Sequence, residues 1–179
     1  MQDERFAELV EAHYAALHRF AMSLARNPAD AGDLTQQTFF IWATKGQSLN
    51  DPAKAKTWLF TTLYREFLRV RRRSGRITAI EDLPPSEQDP PDVEVDVVVR
   101  MDAQLVLQSL QEVEPTFREP LALFYLEVLS YSEIASILSV PIGTVMSRLS
   151  RGKTRLRTLL AEKSRAGNVI AFPKSNQSA

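Results

Sequence analysis

Leu129-Ser-Tyr-Ser-Glu-Ile-Ala-Ser-Ile-Leu-Ser-Val-Pro-Ile-Gly-Thr-Val-Met-Ser-Arg-Leu-Ser-Arg151 reads as two helices joined by a tight turn. Ser130 and Glu133 stand at capping-box spacing: the serine accepts from an amide of the first turn while the glutamate reaches back to the capping residue, so a helix is expected from Tyr131. Ile134, Ala135 and Leu138 give it one apolar stripe. Val140-Pro141-Ile142-Gly143 ends it, because proline has no amide and disfavours helix in its predecessor. Beyond the turn, Val145, Leu149, Leu156 and Leu160 recur at helical spacing, while Thr144, Ser147, Arg148, Arg151 and Arg155 fall on the other face. The second helix of a helix-turn-helix enters the major groove, with hydroxyls and arginines among its usual base readers. Those five residues are therefore the candidate DNA contacts. A helical hairpin with a solvated basic face fits the same spacing, and the spacing alone does not separate the two. Gly152, inside the second helix, costs about 1 kcal/mol relative to alanine. It marks either a close backbone approach or a tolerated defect.

The chain has 179 residues, 44% hydrophobic and 25% charged, the balance of a globular protein with room for one domain or two small ones. No apolar run approaches the roughly 18 residues of a membrane span, and Met-Gln-Asp-Glu-Arg at the N-terminus lacks the basic and apolar regions of a signal peptide. A cytoplasmic protein without membrane insertion is expected. With no cysteine, the chain has no disulfide, no thiolate chemistry and no cysteine-ligated zinc. Net charge is zero, yet the charges are segregated. Residues 54–76 hold eight basic side chains against one acidic, a net of +7. Residues 81–102 hold one basic against eight acidic, −7, and residues 148–165 seven basic against one acidic, +6. Two basic modules flank an acidic spacer.

Along the chain, Phe6, Leu9, Val10, His13, Leu17, Phe20, Ala21 and Leu24 predict an amphipathic helix over residues 4–25. Asn27-Pro28-Ala29-Asp30 breaks that pattern, and a second helix is expected over residues 31–43. Leu34, Thr38 and Ile41 can face the first helix, which leaves Asp33, Gln36, Gln37 and Phe40 for another surface, either a protein interface or further burial. Asp51-Pro52 is a helix start, aspartate as cap and proline at the first position. From there Trp58, Leu59, Leu63, Phe67 and Val70 define an inner stripe, while Lys54, Lys56, Arg65, Arg69, Arg72 and Arg73 supply charge. Aromatics among cations suit melted nucleic acid, because bases stack on rings while arginines hold phosphates; a solvated helix end with a core tryptophan reads equally well. Residues 77–97, with Pro84-Pro85, Pro90-Pro91 and the acidic block, hold too few apolar residues to offset the entropy of folding and read as a linker. Stretched at about 3.3 Å per residue, it reaches on the order of 70 Å. Met101, Leu105, Leu110 and Val113, then Phe117, Leu121, Phe124 and Val128, predict two more helices that scaffold the reader. After Arg165 the composition is that of a frayed tail.

Taken together, these motifs resemble the extracytoplasmic-function sigma factors, the compact two-domain initiation subunits of bacterial RNA polymerase. Ser130-x-x-Glu133-Ile134-Ala135 followed by Pro141-x-Gly143-Thr144-Val145-x-Ser147-Arg148-Leu149 resembles the family's reader of the −35 element. Asp33-Leu34-x-Gln36-Gln37-x-Phe39 is similar to the helix that docks on the polymerase clamp, with Gln37 where glutamate is usual. Trp58-Leu59 followed by Arg72-Arg73 resembles the helix that melts and holds the −10 element, with Arg65 and Arg69 where asparagine and aspartate are usual and Trp42 one place early. The resemblance implies an all-α fold of two small helical domains, residues 1–76 and 98–165, joined by the acidic linker 77–97 and followed by the tail 166–179. It implies polymerase contacts at Asp33, Gln36, Gln37 and Phe40, −10 contacts at Lys56, Trp58, Arg65, Arg69, Arg72 and Arg73, and −35 contacts at Thr144, Ser147, Arg148, Arg151 and Arg155. The expected partners are core RNA polymerase, promoter DNA and an anti-sigma factor; no catalytic residue, metal or cofactor is expected. The rivals are a polymerase-independent helix-turn-helix regulator and, with poor ligand spacing, a helical metalloenzyme using His13, His18, Asp30 and Asp33.

Overall fold

The computed structural model describes residues 2–46, 51–75 and 103–165; the acidic linker and the tail expected above lie outside the described residues. Among the described residues there are seven α-helices and no strand. The N-terminal unit holds α1 (Gln2–Ala25), α2 (Pro28–Lys45) and α3 (Ala55–Arg73). The C-terminal unit holds α4 (Ala103–Leu110), α5 (Pro115–Tyr125), α6 (Tyr131–Leu138) and α7 (Ile142–Arg165).

The apolar stripe of α1 buries Leu17, Phe20, Ala21 and Leu24 against Leu59, Phe60 and Leu63 of α3 and Leu34 and Phe39 of α2. Helix α1 stops where Arg26 turns left-handed, φ 65°. Asn27-Pro28 does not merely break the pattern; it starts the next helix three residues earlier than expected, with the Asn27 side-chain Oδ1 accepting from the Asp30 amide at 2.8 Å and Pro28 at the first helical position. Asp51 likewise accepts from the Ala53 amide at 3.0 Å, but Pro52–Lys54 form a 3-10 turn and α3 begins only at Ala55. Val70, expected on the inner stripe of α3, is instead 53% exposed, on the wall of a cleft.

The helix-turn-helix forms as its sequence dictates. The Ser130 hydroxyl accepts from the Glu133 amide at 3.3 Å, and the Glu133 carboxylate accepts from the Ser130 amide at 2.8 Å, two otherwise orphaned donors satisfied together. The turn is shorter than expected: Ser139, left-handed at φ 55°, ends α6, and Ile142 and Gly143 already belong to α7. Val145, Leu149 and Leu156 of α7 pack on Leu121, Ile134 and Ile137. Gly152 is a close approach: a Cβ there would lie 2.8 Å from Leu121 Cδ1 and 3.0 Å from Phe117 Cβ, so α5 crosses α7 at a point with no room for a side chain. The two units are not separate bodies in this structure. Helix α3 packs on α6 and α1 on α5, and the buried residues of both form one continuous cluster.

Candidate nucleic-acid interface

Helix α2 turns Ala31, Leu34, Thr35, Thr38 and Phe39 inward. Asp33, Gln36, Gln37 and Phe40 are left on its outer face, all exposed, with Phe40 at 64%. A phenyl ring so presented among amides and a carboxylate is an unusual choice for a solvated surface. Tyr14 and Phe39 stack at 6.3 Å beneath this face, which fixes the helix that carries it.

Helix α3 presents Arg65, Arg69, Arg72 and Arg73 to solvent along one side. Arg69 is paired with Glu66 one turn before it. Trp58 is half-buried, its ring edge-on to Trp42 at 5.0 Å and 80°. Trp42 in turn rests over Gly46, where a Cβ would lie 2.3 Å from the indole, so the end of α2 sets the tryptophan of α3. Lys56 stands apart from the arginines: its ammonium donates to the Glu127 carbonyl at 3.1 Å, across to the C-terminal unit. The structure thus brings Arg65, Arg69, Arg72 and Arg73 together and leaves Lys56 engaged elsewhere.

On α7, Thr144 and Arg151 are half-exposed and Arg155 is exposed, weakly paired with Glu114 at 3.7 Å. Ser147 and Arg148 do not lie on the outer face as expected; they are 5% and 3% exposed. Arg148 sits only about 60° around the helix from Val145 by the 3.6-residue repeat, at the flank of the packed stripe, and its Nε has no hydrogen-bond partner. It belongs to a buried charged cluster. There the Tyr64 hydroxyl of α3 donates to the Glu119 carboxylate of α5 at 2.8 Å. Burial raises the Glu119 pKa, while the Tyr64 hydrogen bond and the charges of Arg71, Arg148 and Arg118 pull it back. Burial likewise raises that of Tyr64, helped by Glu119. Arg118 donates from Nε to the Val113 carbonyl and from Nη1 to the Ser23 carbonyl, each at 3.1 Å, and burial with Arg26 nearby brings its pKa down to about 10.

A second polar contact between the units went unforeseen. Glu127, in the loop before the helix-turn-helix, is buried and accepts from Arg19 Nε at 3.1 Å and Nη2 at 3.2 Å. Its pKa is pushed up to about 7 because burial outweighs Arg19 and Lys56. Gln111 Nε2 donates to the Met22 carbonyl at 2.9 Å, and Arg26 Nη2 donates to the Gln111 carbonyl at 2.7 Å. A cleft of about 680 Å³ opens beside this seam, with Asp33 and Gln37 on one wall and Arg69, Arg71 and Arg118 on others. No group of three or more His, Asp or Glu side chains converges among the described residues. His18 instead stacks on Tyr14 at 5.9 Å. No described helix is long and apolar enough to cross a membrane.

Comparison with known proteins follows the same two-part division. Residues 9–77 match the Sigma-70 region 2 family and residues 103–156 the Sigma-70 region 4 family. The ECF RNA polymerase sigma factor SigE of Mycolicibacterium smegmatis is 36% identical over 163 residues, 88% of this chain and 62% of the relative. SigL of Mycobacterium tuberculosis, an ECF RNA polymerase sigma factor, is 30% identical over 86% of this chain and 88% of its own length. Among solved structures, the sigma factor RpoE of Bartonella quintana in complex with the anti-sigma factor NepR superposes with a TM-score of 0.68 at 28% identity, covering 88% of this chain and 98% of that one. CnrH, solved with the cytosolic domain of CnrY, shares the fold at a TM-score of 0.64 and 22% identity.

Proposed function

Because the chain belongs to the extracytoplasmic-function sigma factors of RNA polymerase, we propose that it recruits core polymerase to promoters and selects them through their −10 and −35 elements. The observation that carries this reading is the outward row Asp33, Gln36, Gln37 and Phe40 on α2, standing beside the guanidinium row of α3 on a chain that also bears a helix-turn-helix. A DNA-binding protein acting alone has no use for the first of these. Phe40 and its polar neighbours engage the polymerase clamp, an apolar anchor with a polar rim. Arg65, Arg69, Arg72 and Arg73 hold the phosphates of the melted −10 strand, with Trp58 as a ring for stacking. Thr144, Arg151 and Arg155 meet the −35 duplex from the outer face of α7, and Ser147 and Arg148 take part once they are uncovered.

The protein contributes binding, and the polymerase performs the chemistry in the cytoplasm. A good bidentate base contact contributes about 1–3 kcal/mol of discrimination, so two modest readers on one chain suffice through effective concentration. Extra arginines at positions 65 and 69 strengthen phosphate binding at the expense of base discrimination, which gives an unusual −10 preference or a steeper salt dependence. An anti-sigma factor, as RpoE has in NepR, is the kind of partner proposed to hold the chain inactive. Run-off transcription from a genomic library, with core polymerase and with or without this protein, tests the reading. New promoter-specific transcripts are expected only with both present. Tight duplex binding by the chain alone, with no association with core enzyme, would instead identify a polymerase-independent regulator.

A further inference from the structure

The cleft of about 680 Å³ beside the seam has the size of a small-molecule site, about 300–1,000 Å³, and lies where such sites concentrate, at the meeting of two packed units. Its lining divides by chemistry. Leu24 of α1, Leu34 of α2 and Phe67 of α3 bring the edge of the buried core to it, and Val70, half-exposed, continues that apolar wall into the recess. Arg26 of α1, Arg69 and Arg71 of α3 and Arg118 of α5 line the same cleft. The carboxylates among them are largely engaged. Glu66 is paired with Arg69, Asp30 accepts from Asn27 Nδ2 at 2.7 Å, and Glu119 accepts from the Tyr64 hydroxyl at 2.8 Å. Burial raises the Glu119 pKa, which moves it toward the neutral acid. Arg118 is the group left incomplete. It is 3% exposed, and while its Nε and Nη1 donate to the Val113 and Ser23 carbonyls, its Nη2 has no acceptor among the described residues. A buried cation with an unspent donor is costly until a partner meets it. Like charges also converge on it: after burial, Arg26 and then Arg71 lower its pKa. Arg71 in turn lies over the Phe67 ring at 5.3 Å, which joins the cationic and apolar parts of the lining. The function proposed above gives Arg71, Arg118 and Val70 no part in binding polymerase or DNA.

We propose that this cleft binds a small organic oxyanion, its carboxylate or phosphate head held by Arg118, Arg71 and Arg26 and its flat apolar body resting against Phe67, Val70, Leu24 and Leu34. A planar guanidinium offers paired donors to either head group. An inorganic anion meets only the cationic half of the site, and a neutral aromatic only the apolar half. Asp30 and Asp33, on the α2 side, repel negative charge, so the cleft takes a ligand with one anionic end in preference to a polyphosphate.

The test is calorimetric titration of the full chain at neutral pH with naphthoate, naphthyl phosphate, the neutral naphthalenemethanol and inorganic phosphate. At least one of the aromatic anions is expected to bind about tenfold or more tightly than naphthalenemethanol and than inorganic phosphate. The tighter of the two anions identifies the head group. Val70→Glu, at an exposed position, sets a carboxylate in the apolar wall and is expected to weaken aromatic-anion binding about tenfold or more. Arg71→Gln, which removes a guanidinium and leaves the two carbonyls held by Arg118 untouched, is expected to do the same. Arg65→Gln, an exposed guanidinium of the same helix outside the cleft, should keep full affinity, which separates the cleft from general anion binding along a basic helix. Naphthalenemethanol binding as tightly as the anions would reduce the site to an apolar recess, and inorganic phosphate doing so would leave the apolar wall without a part; either overturns the proposal. So does affinity that survives both Val70→Glu and Arg71→Gln, affinity that falls with Arg65→Gln, or no binding of either aromatic anion at millimolar concentration. None of these measurements involves polymerase or promoter DNA, so their outcome is independent of the function proposed above.

Discussion

Raising the pH should unfasten the two units, and Glu127 sets the size of the effect. Its pKa is pushed from 4.5 to about 7 in the docked form because burial outweighs the help of Arg19 on α1 and Lys56 on α3. Separation returns the carboxylate to water and to its ordinary value. The docked form therefore binds a proton that the open form has already lost. For a raised pKa the contribution to docking is fully present below 4.5 and is lost as pH climbs through about 7. At about 1.4 kcal/mol per pH decade, the whole excursion amounts to about 3 kcal/mol, and the part between pH 6 and pH 8 to about a tenfold fall in the docking constant. His13, whose pKa is lowered by burial and then by Lys56, shifts in the opposite direction to Glu127. The assay is the energy-transfer distance between labels at Ala15→Cys on α1 and Thr158→Cys on α7, both exposed positions, titrated at constant ionic strength. Glu127→Gln should flatten the profile without abolishing docking. Docking that strengthens with pH, or a slope that survives Glu127→Gln, would refute the reasoning.

Gly152→Val places branched carbon where a Cβ already comes within 2.8 Å of Leu121 Cδ1, and should cost about 1–3 kcal/mol by urea denaturation despite better helix propensity. Phe40→Ala removes a ring that is 64% exposed, so stability should move by less than about 0.5 kcal/mol while core-polymerase affinity falls at least about tenfold in a pull-down or fluorescence titration. Arg72→Ala and Arg73→Ala should weaken open-complex formation across all promoters, each reducing the salt slope by about 0.7 as expected for single-strand phosphate contacts. Arg148→Ala should relax −35 selectivity and also lower the stability of the chain by about 1–3 kcal/mol, because its charge helps offset the burial of Glu119.

What could be read from the sequence was whatever depends on neighbours in the chain. Ser130 and Glu133 announce their capping box three residues apart, and the outward row of α2 follows once Leu34 and Thr38 are assigned inward. Asn27-Pro28 was legible in principle: the same pair that interrupts one apolar pattern supplies the cap and first residue of the next helix. Ser147 and Arg148 were misplaced because a 3.6-residue period knows only the helix's own stripe, whereas Arg148 is buried beside Tyr64 of α3 and Glu119 of α5, and the Ser147 hydroxyl turns back to donate to the Thr144 carbonyl. Arg118-Glu119, set between Phe117 and Leu121, did carry a signal, since charged residues inside an apolar helix are rarely buried unless paired. The Arg19–Glu127 contact carried none. Its partners are 108 residues apart with a charged linker between them, and no local pattern joins them.

The zero net charge of the chain acquires a physical meaning from that seam. The two units are held together by apolar packing, since their buried residues form one continuous cluster, and by polar contacts that water can replace on separation. Here the carboxylates of Glu119 and Glu127 lie buried where the two basic units meet, each at a desolvation cost that its hydrogen bonds only partly offset. Each buried carboxylate thereby weakens the closure that the apolar contacts favour. On the function proposed above, phosphate would compete for Lys56 and Arg148, so promoter DNA would bind the open form better than the closed one and shift the population by that difference in affinity. By reciprocity, whatever strengthens the seam must weaken promoter binding by the same factor.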